Sequence, residues 1–298
     1  MSQVSQNIPH TKSRQTILPI MVLYNCTLEN SATYRTFVAA AKHAAFDPTL
    51  IAVYDNSPVR QLSPVEESHL VAYQHDPSNS LLAAAYNWAL EIAASRGFSW
   101  LLLLDYDSSL PSTFMAALAG VAQFYDLDSS VAAIVPFATD GHIMISPKRV
   151  CFGRLAPLPS SAPELAEYEV TAIASGTALR VSWMRLAGGF SPLYPFDFID
   201  HWLFRKLYEN GKKVALSGSV IEHDLSVCDY RNKISQSRYL SILTAEAFFI
   251  MTEKRRLELP VYVIRLLLRA VKQLILYRRP KLVAITCSMA VKVAVSRM

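Results

Sequence analysis

At the centre of the chain lies the stretch Trp100-Leu101-Leu102-Leu103-Leu104-Asp105-Tyr106-Asp107-Ser108. A tryptophan followed by four leucines predicts a strand buried on both faces, which is typical of a central strand in a parallel sheet. Two carboxylates follow this strand directly, and open α/β sheets bind their ligands at the carboxyl ends of the strands. We therefore expect Asp105 and Asp107 at a ligand site. The alternative is an ordinary strand end whose acids face water.

The spacing of these two acids favours a hard divalent cation. Residues two apart on an extended chain point the same way, so one carboxylate can hold an ion while the other accepts a hydrogen bond from a nearby hydroxyl. Mg²⁺ and Mn²⁺ prefer one or two carboxylates together with phosphate oxygens and water. Because an Asp-x-Asp pair is common in proteins, this pair alone does not distinguish a ligand site from an ordinary strand end. The neighbouring strands provide the further evidence.

Two earlier stretches, 17–25 and 50–58, are also apolar runs that end in polar residues. Between them, residues 31–45 have the pattern of a helix for which the pair Asn30-Ser31 offers a cap. Strand, helix and strand in this order predict a parallel α/β sheet. Asp55, at the end of the second strand, is a candidate acceptor for a nucleotide base or ribose, and the alternative is a turn-forming Asp-Asn pair.

Further along, residues 71–75 and 131–137 predict two more strands, and residues 81–94 predict an alanine-rich helix that permits close approach of a sheet or ligand. Residues 138–170, with several prolines and serines, predict a loop or an edge hairpin. The stretch 171–179 predicts a strand with a glycine where the backbone approaches something closely. Residues 214–216 and 220–221 predict two edge strands.

Composition limits the classes of protein that fit. The chain has 298 residues, 52% of them hydrophobic and 18% charged, with a net charge of +5, which excludes a disordered chain. Its four cysteines form no Cys-x-x-Cys pair, which argues against a zinc site or a disulfide scaffold and fits a reducing compartment. Residues 1–16 are polar and predict a flexible leader. The basic residues cluster with aliphatic ones and not with stacking aromatics, so we expect no nucleic-acid partner.

The ordered set of motifs resembles the family 2 glycosyltransferases, the inverting enzymes of GT-A fold that use nucleotide-sugars. The form Leu-Asp-x-Asp-Ser-x-Leu-Pro at 104–111 is similar to the rhamnosyltransferase-like branch. The resemblance covers roughly residues 17–227, and it rests on the following segments: 22–25, 53–57, 79–87, 104–107, 174–177, 187–190, 198–202 and 221–226.

This resemblance implies a Rossmann-like, mainly parallel mixed sheet with flanking helices in a catalytic domain over residues 17–230. It implies a nucleotide-diphospho-sugar donor, dTDP- or UDP-linked, and a saccharide or lipid-linked acceptor. Independently of the resemblance, we expect the loops at 138–170 and 191–200 to determine carbohydrate selectivity. The donor-site residues implied are Tyr24, Asn25, Asp55, Asn79, Asn87, Asp105, Tyr106, Ser175 and Gly176. Asn87 has an alternative as a helix surface residue, and Gly176 as a packing glycine.

Asp107 and His223 are the metal ligands that the resemblance implies, for Mg²⁺ or Mn²⁺. The alternative for His223 is a structural hydrogen bond. The catalytic base implied is Asp200, which lies among Phe, Ile and Trp, a setting that raises a carboxyl pKa. In many relatives the acidic pair precedes the helix arginine by six or seven residues, whereas Asp200 precedes Arg205 by five. Asp197 therefore stays a rival, and Asp200 has an alternative as a helix N-terminal residue stabilised by the dipole.

The C-terminal region, 231–298, has a different character. Helices are predicted over 234–255, 261–277 and 282–295, and the second carries Arg265, Arg269 and Lys272 at spacings that place them on one face. Neither of the last two is long enough for a comfortable membrane span. A basic amphipathic pair suits an anionic bilayer surface, and the alternative is packing on the catalytic domain or another subunit of a homo-oligomer.

Two hypotheses follow. The first is a cytoplasmic, metal-assisted inverting glycosyltransferase of surface-polysaccharide or O-antigen synthesis, peripheral to the membrane face, moving a sugar such as rhamnose. The second is a non-catalytic protein of the same fold that binds a nucleotide-sugar or scaffolds a membrane complex. The presence of Asp105, Asp107, Asp200 and His223 together favours the first.

Overall fold

A mixed sheet of ten strands runs through the computed structural model, which describes residues 16–141, 143–151, 154–158, 165–223, 234–253 and 258–295. In chain order the strands are β1 (Ile17–Leu23), β2 (Ala52–Asp55), β3 (Ala72–His75), β4 (Trp100–Leu104), β5 (Ser108–Ser109), β6 (Val131–Asp140), β7 (Ile143–Ser146), β8 (Lys148–Cys151), β9 (Arg154–Pro157), β10 (Leu165–Ala166), β11 (Val170–Thr171), β12 (Ala178–Arg180) and β13 (Lys213–His223). The helices are α1 (Ala32–His43), α2 (Pro64–Glu67), α3 (Leu81–Ser95), α4 (Phe114–Phe124), α5 (Val181–Leu186), α6 (Ile199–Glu209), α7 (Gln236–Glu253), α8 (Glu258–Ile275) and α9 (Pro280–Val295).

The main path of the sheet has the order β10-β13-β6-β12-β4-β1-β2-β3. Strands β4, β1, β2 and β3 are parallel neighbours, and β6 and β13 form a second parallel pair. Strand β12 runs antiparallel between β4 and β6 and joins the two parallel groups. The predicted α/β class with a mainly parallel mixed sheet is thus confirmed.

The leucine run of β4 is fully buried because both faces of the sheet are covered. Leu101 and Leu103 belong to the hydrophobic layer that contains α3, α5 and α6. Trp100, Leu102 and Leu104 belong to the opposite layer, with α1 and α4. Alternate side chains point to opposite faces of a strand, so a strand between two helical layers is apolar throughout.

The segment predicted as one strand over 171–179 is divided in the structure, and that prediction was wrong. Val170 and Thr171 pair with β8 in a small antiparallel sheet, and the chain then turns before β12 begins at Ala178. Gly176 has a φ of +79° within this turn, a conformation that ends a strand. Residues 138–170 build most of the small sheet and the β6–β7 pair, so the hairpin alternative describes them better than a loop.

The two edge strands predicted at 214–216 and 220–221 are one strand, β13, and it is not at an edge. It lies between β10 and β6, with a register irregularity between Leu216 and Val220. Gly218 has a φ of +73° within this irregularity, which is how a bulge interrupts a ladder without ending it. The strand delivers His223 to the carboxyl end of the sheet.

The C-terminal helices pack onto the sheet domain. Tyr239 and Leu243 of α7, Leu266 of α8 and Leu282 of α9 belong to the same hydrophobic cluster as the central strands. The division into a leader, a catalytic domain and a helical region remains a prediction, and residues 1–15 and 224–233 lie outside the described part of the chain. No helix in the described ranges combines the length and apolar character needed to cross a bilayer.

Candidate active site

A cavity of about 570 Å³ opens at the carboxyl ends of β1, β2 and β4. Helix α6 and the loop before it form one wall, and α7 contributes Arg238. The described residues that line it are Val22, Tyr24, Asn56, Asn79, Leu81, Leu82, Asp105, Tyr106, Asp107, Ile173, Ala174, Phe196, Asp197, Phe198, Ile199, Asp200, His223 and Arg238. The position agrees with the rule that open α/β sheets bind ligands beyond their strand ends.

Three side chains in this cavity form a group that fits a divalent cation. One ligand atom from each of Asp105, Asp107 and His223 lies within 4.8 Å of the other two. The His223 Nδ1 atom is 4.0 Å from Oδ1 of Asp107. Two carboxylate oxygens and an imidazole nitrogen suit Mn²⁺ or Mg²⁺ and leave further positions for phosphate oxygens or water. Asp105, predicted as a donor-site residue, thus joins the predicted ligands Asp107 and His223.

Buried hydroxyl groups orient the imidazole. The Ser108 Oγ atom lies 2.8 Å from His223 Nδ1 and also 2.8 Å from Ser175 Oγ. Ser175 in turn accepts a hydrogen bond of 3.4 Å from the backbone N–H of Asp105. When Nδ1–H donates to Ser108, the Nε2 atom is left as a lone-pair donor for a metal ion. The chain of contacts therefore ties two members of the group to each other.

Side chains at the start of α1 hold the loop after β4 in place through hydrogen bonds to its backbone. Thr33 Oγ1 donates to the backbone oxygen of Ser108 over 2.9 Å and accepts from its N–H over 2.7 Å. Ser31, the cap of α1, donates to the backbone oxygen of Tyr106 over 2.8 Å. These contacts are buried or partly buried, and they place the two acids at the cavity instead of leaving the loop free.

The surroundings of Asp105 favour its protonated form. Burial raises its pKa to about 6, with the Asp107 charge acting in the same direction and His223 opposing it. The hydroxyl of the buried Tyr86 donates to Asp105 Oδ1 over 3.4 Å. Two carboxylates held this close repel each other, so a cation between them is electrostatically favoured.

The two candidate bases differ in what they contact. Asp197 Oδ2 is 2.7 Å from Nη1 of Arg238 and accepts a hydrogen bond of 2.9 Å from Ser241, so this carboxylate is engaged by α7. Asp200 lies in the first turn of α6, where its Oδ1 accepts the N–H of His201 over 2.7 Å. Both acids line the cavity, but no described cation forms a salt bridge with Asp200.

Left-handed backbone clusters around the cavity. Six described non-glycine residues have positive φ, and Asn79 (54°), Leu81 (67°) and Phe198 (64°) line the cavity. Leucine and phenylalanine avoid this region, and each such residue costs about 1–3 kcal/mol. The Phe198 ring is held against His201 and Phe249, with centroid distances of 4.8 and 5.6 Å. Strain of this kind accompanies functional sites, because packing that enforces it also fixes the site's geometry.

Tyr24, Asn79 and Tyr106 of the predicted donor site line the cavity, and both tyrosines are exposed there. Asn25 follows Tyr24 and does not itself line it, judged on the described residues. Ser175 and Gly176 lie beneath the cavity. Ser175 acts through its contacts to Ser108 and Asp105, and a Cβ on Gly176 would lie 2.8 Å from Pro136 Cγ.

Asp55 and Asn87, also predicted at the donor site, have their polar groups engaged elsewhere. Asp55 is fully buried and accepts hydrogen bonds from the N–H groups of Ser57 and Gln61 and from the Tyr73 hydroxyl. The Asn87 side chain exchanges two hydrogen bonds, of 2.9 and 2.7 Å, with the backbone of Phe190. The turn-forming alternative fits Asp55, and Asn87 joins α3 to the loop after α5.

Sequence reasoning missed Asn56 and Arg238. Asn56 is 3% exposed and lines the cavity, and its Oδ1 atom has no hydrogen-bond partner among the described residues. A buried acceptor without a partner is costly, which marks it as a contact for a ligand N–H. Arg238 is the one cation among the described lining residues, and its guanidinium lies 4.9 Å from the Phe196 ring centroid. Neither residue has a local sequence signal. Asn56 has the pattern of a turn residue, and Arg238 lies on a helix that was predicted to belong to the C-terminal region, outside the catalytic domain.

No protein-family model and no curated protein matches this chain. The structure is similar to that of S. aureus TarS, with a TM-score of 0.50 and 13% sequence identity, over 93% of this chain and 55% of that chain. The fold is GT-A. Two structures of TarS 1–349, the second in complex with UDP, align with TM-scores of 0.49 and 0.47, both at 13% identity. They cover 93% and 92% of this chain and 90% of each fragment. The chain spans about half the length of the longer TarS chain, and at this identity the likeness concerns the fold alone.

Proposed function

We propose that the chain is an inverting glycosyltransferase that moves a sugar from a nucleotide-diphosphate donor to a saccharide or lipid-linked acceptor. The observation that supports this proposal is that Asp105, Asp107, Asp200 and His223 all line one cavity although they come from three separate parts of the chain. The cavity lies at the ligand-binding edge of a GT-A fold, and its volume of about 570 Å³ is in the range of small-molecule sites.

Asp105, Asp107 and His223 would hold Mg²⁺ or Mn²⁺, and the donor diphosphate would complete its coordination. When bound, such a cation supplies Lewis-acid stabilisation of the charge that develops on the departing nucleoside diphosphate. The exposed rings of Tyr24 and Tyr106 offer stacking surfaces for the nucleotide, and the Asn56 Oδ1 atom offers an acceptor for a donor N–H.

Asp200 would act as the base. The acceptor hydroxyl loses its proton to this carboxylate while its oxygen forms a bond to the anomeric carbon. The bond from that carbon to the diphosphate oxygen breaks on the opposite face, so the configuration inverts. Asp197 is the weaker candidate because Arg238 and Ser241 of α7 already engage its carboxylate.

The finer parts of the hypothesis come from the resemblance. They are a dTDP- or UDP-linked donor, rhamnose as the sugar and surface polysaccharide as the product. The Tyr, Phe and Asn side chains at the cavity suit a flat base and a sugar. A panel of nucleotide-sugars, scored by hydrolysis and by thermal stabilisation, selects among the donors.

The experiment that tests the proposal compares thermal stabilisation by UDP and dTDP with and without Mn²⁺. We expect stabilisation that requires Mn²⁺ in the wild type and is lost in Asp107→Ala. Leu127→Ala, an exposed substitution distant in sequence from the site, serves as the control. Unchanged nucleotide binding and donor turnover in Asp107→Ala would refute the metal assignment.

The non-catalytic alternative is tested by turnover. Metal-dependent nucleotide binding without hydrolysis or transfer, over a panel of donors and acceptors, would favour a binding or scaffolding protein. For the base, Asp200→Asn is expected to abolish turnover and to leave donor binding intact, whereas Asp197→Asn keeps measurable turnover. The opposite result would assign the base to Asp197.

A further inference from the structure

Helix α8 carries two opposite apolar faces, and the residues that the structure describes cover only one of them. Leu259, Tyr262, Leu266 and Ala270 are buried against the rest of the protein. The outer side of the helix and its end expose eight large apolar side chains in the described structure, each between 44% and 65% exposed. They are Val261, Ile264, Leu267, Leu268, Val271, Leu274, Ile275 and Leu276.

These residues form a continuous stripe, which we call the outer face of α8. At about 100° per residue, positions 261, 264, 268, 271 and 275 repeat every three or four residues and lie on one side of the helix. Exposed apolar residues scattered singly need no explanation, but a contiguous group marks an interaction surface. The inner face of α8 packs against the rest of the protein, so the outer face needs a binding partner from outside the described residues.

The charges around this face identify the partner. From residue 259 to residue 298 the sequence has eight Arg and Lys residues and no Asp or Glu. Lys272 is exposed beside the outer face, and Arg278 and Lys281 are exposed where α8 gives way to α9. Basic residues at the border of an exposed apolar stripe match a surface that offers hydrocarbon and negative charge together.

One of the three basic residues predicted to share a face does not belong to this border. Arg269 makes a two-pronged ion pair with Glu246 of α7, with distances of 2.7 and 2.8 Å, and so holds α8 on the protein. The positive charge at the border of the outer face is therefore smaller than the sequence pattern indicates. The basic side chains that remain there are exposed. Because Arg269 anchors α8 from the inner side, the outer face is presented without unfolding the bundle.

We propose that the outer face of α8 lies in the headgroup region of an anionic bilayer, with Lys272, Arg278 and Lys281 on lipid phosphates. A second copy of the chain is the less favoured occupant. Pairing two such faces would bring the basic borders of both copies together without any acidic partner on α8 or α9 after Glu258. The proposal concerns location and stands whether or not the chain proves to be a glycosyltransferase.

The test is flotation of the full chain with two kinds of vesicle, phosphatidylcholine alone and phosphatidylcholine mixed with phosphatidylglycerol. We expect the wild type to float with the anionic vesicles and to be released by high salt. Leu268→Ser combined with Ile275→Ser is expected to lower the partition coefficient about tenfold or more, because two apolar insertions are lost. The matched control, Leu127→Ser combined with Leu186→Ser, removes two exposed aliphatic side chains elsewhere and keeps wild-type partition.

Charge is tested separately. Lys272→Gln with Lys281→Gln is expected to weaken binding to anionic vesicles about fivefold for each charge, with no effect on neutral ones. Lys42→Gln with Arg96→Gln removes two exposed charges elsewhere and is the control. Thermal melting of each variant shows that the substitutions have not unfolded the helix.

Two results would overturn the proposal. One is equal or absent partition of the wild type into both kinds of vesicle. The other is a wild-type dimer in sedimentation velocity that the Leu268→Ser and Ile275→Ser pair dissociates, while flotation is absent. The second result would assign the outer face of α8 to another copy of the chain.

Discussion

At the scale of single residues, the site depends on side chains that never face the cavity themselves. Ser108 and Ser175 are fully buried, and their hydroxyls link the His223 ring to the backbone of Asp105. A metal-ligating imidazole needs its second nitrogen held, because that contact fixes both the tautomer and the ring orientation. The hydroxyl group of Ser108, itself in contact with that of Ser175, supplies this contact to the His223 ring.

Ser108→Ala is therefore expected to weaken Mn²⁺ binding about tenfold without removing a ligand. The alanine leaves His223 Nδ1 without its partner, so the ring is free to rotate and the two tautomers compete. Isothermal titration with Mn²⁺ measures the effect. Ser109→Ala, one residue along in the same short strand, is the control, and equal affinities in the two variants would exclude the positioning role.

The raised pKa of Asp105 predicts a pH-dependent stability of the metal-free protein. An acid whose folded pKa is about 6 and whose unfolded pKa is near 4 binds its proton more tightly when folded, so stability falls as the pH rises from about 4 to about 6. Asp105→Asn removes this penalty and is expected to stabilise the protein at about pH 8 by 1–2 kcal/mol, with little effect at about pH 3.5.

Urea unfolding of wild type and Asp105→Asn across that pH range, in a chelator, provides the measurement. The same substitution is expected to remove Mn²⁺-dependent stabilisation, since the carboxylate is a ligand. A stability difference that does not change with pH would show that the Asp105 carboxyl titrates normally.

At the scale of elements, the turn between β11 and β12 shows how a glycine lets a strand pass beneath the site. Gly176 combines a φ of +79° with a would-be Cβ only 2.8 Å from Pro136 and 3.2 Å from Ile221. Its N–H also donates to the backbone oxygen of Leu103 in β4 over 2.8 Å. The turn and the central strand are therefore locked together directly below Asp105.

Gly176→Ala is expected to destabilise the protein by about 1–3 kcal/mol, because both the backbone conformation and the neighbouring side chains oppose a Cβ. Gly120→Ala is a matched contrast. Gly120 lies on the exposed side of α4 with nothing within 4 Å of its would-be Cβ, so alanine should stabilise by roughly 0.5–1 kcal/mol. The midpoints of urea unfolding measure both effects. A loss of stability in Gly176→Ala no larger than that of an ordinary surface substitution would refute the packing argument.

Among the elements, the local patterns predicted most strands and helices to within a few residues. The runs at 17–25, 71–75 and 100–104 are strands, and of the predicted pair Asn30-Ser31 it is Ser31 that caps α1. The failures at 171–179 and 213–223 have one cause. The positive-φ Gly176 lies in the turn that divides the first predicted strand, whereas at Gly218 the same feature only interrupts a ladder. The sequence does not distinguish the two outcomes.

At the scale of the whole molecule, the C-terminal helices are part of the candidate site as well as neighbours of it. Arg238 and Ser241 of α7 contact Asp197 at the cavity wall. Helices α7, α8 and α9 are joined by a buried polar cluster in which the Thr286 hydroxyl contacts Tyr239 and Gln273 at 2.6 and 2.8 Å. All three side chains are essentially inaccessible to water, so water cannot replace a hydrogen bond that is lost within the cluster.

Thr286→Val is expected to destabilise the protein by about 1–3 kcal/mol, because it leaves Tyr239 and Gln273 short of a buried partner while keeping the shape. Ser288→Ala, on the exposed side of α9, is the control and should change stability by less than about 0.5 kcal/mol. Unfolding midpoints report the difference. Because α7 carries Arg238, weaker nucleotide-dependent stabilisation in Thr286→Val would further show that the bundle and the cavity are coupled.

The sequence by itself determined which segments are buried and in what order they follow one another, because hydrophobic periodicity encodes burial and turn residues encode strand ends. It also placed Asp105, Asp107 and His223 at the ends of buried strands, and Asp200 near the start of a helix. Tertiary structure alone decided which polar groups face the cavity. Asp55 is satisfied by Gln61 and Tyr73 while its neighbour Asn56 is not, and Asp197 meets an arginine from a helix about forty residues away. The physical reason is that a hydrogen-bond partner is a matter of distance in space, which a local pattern does not contain.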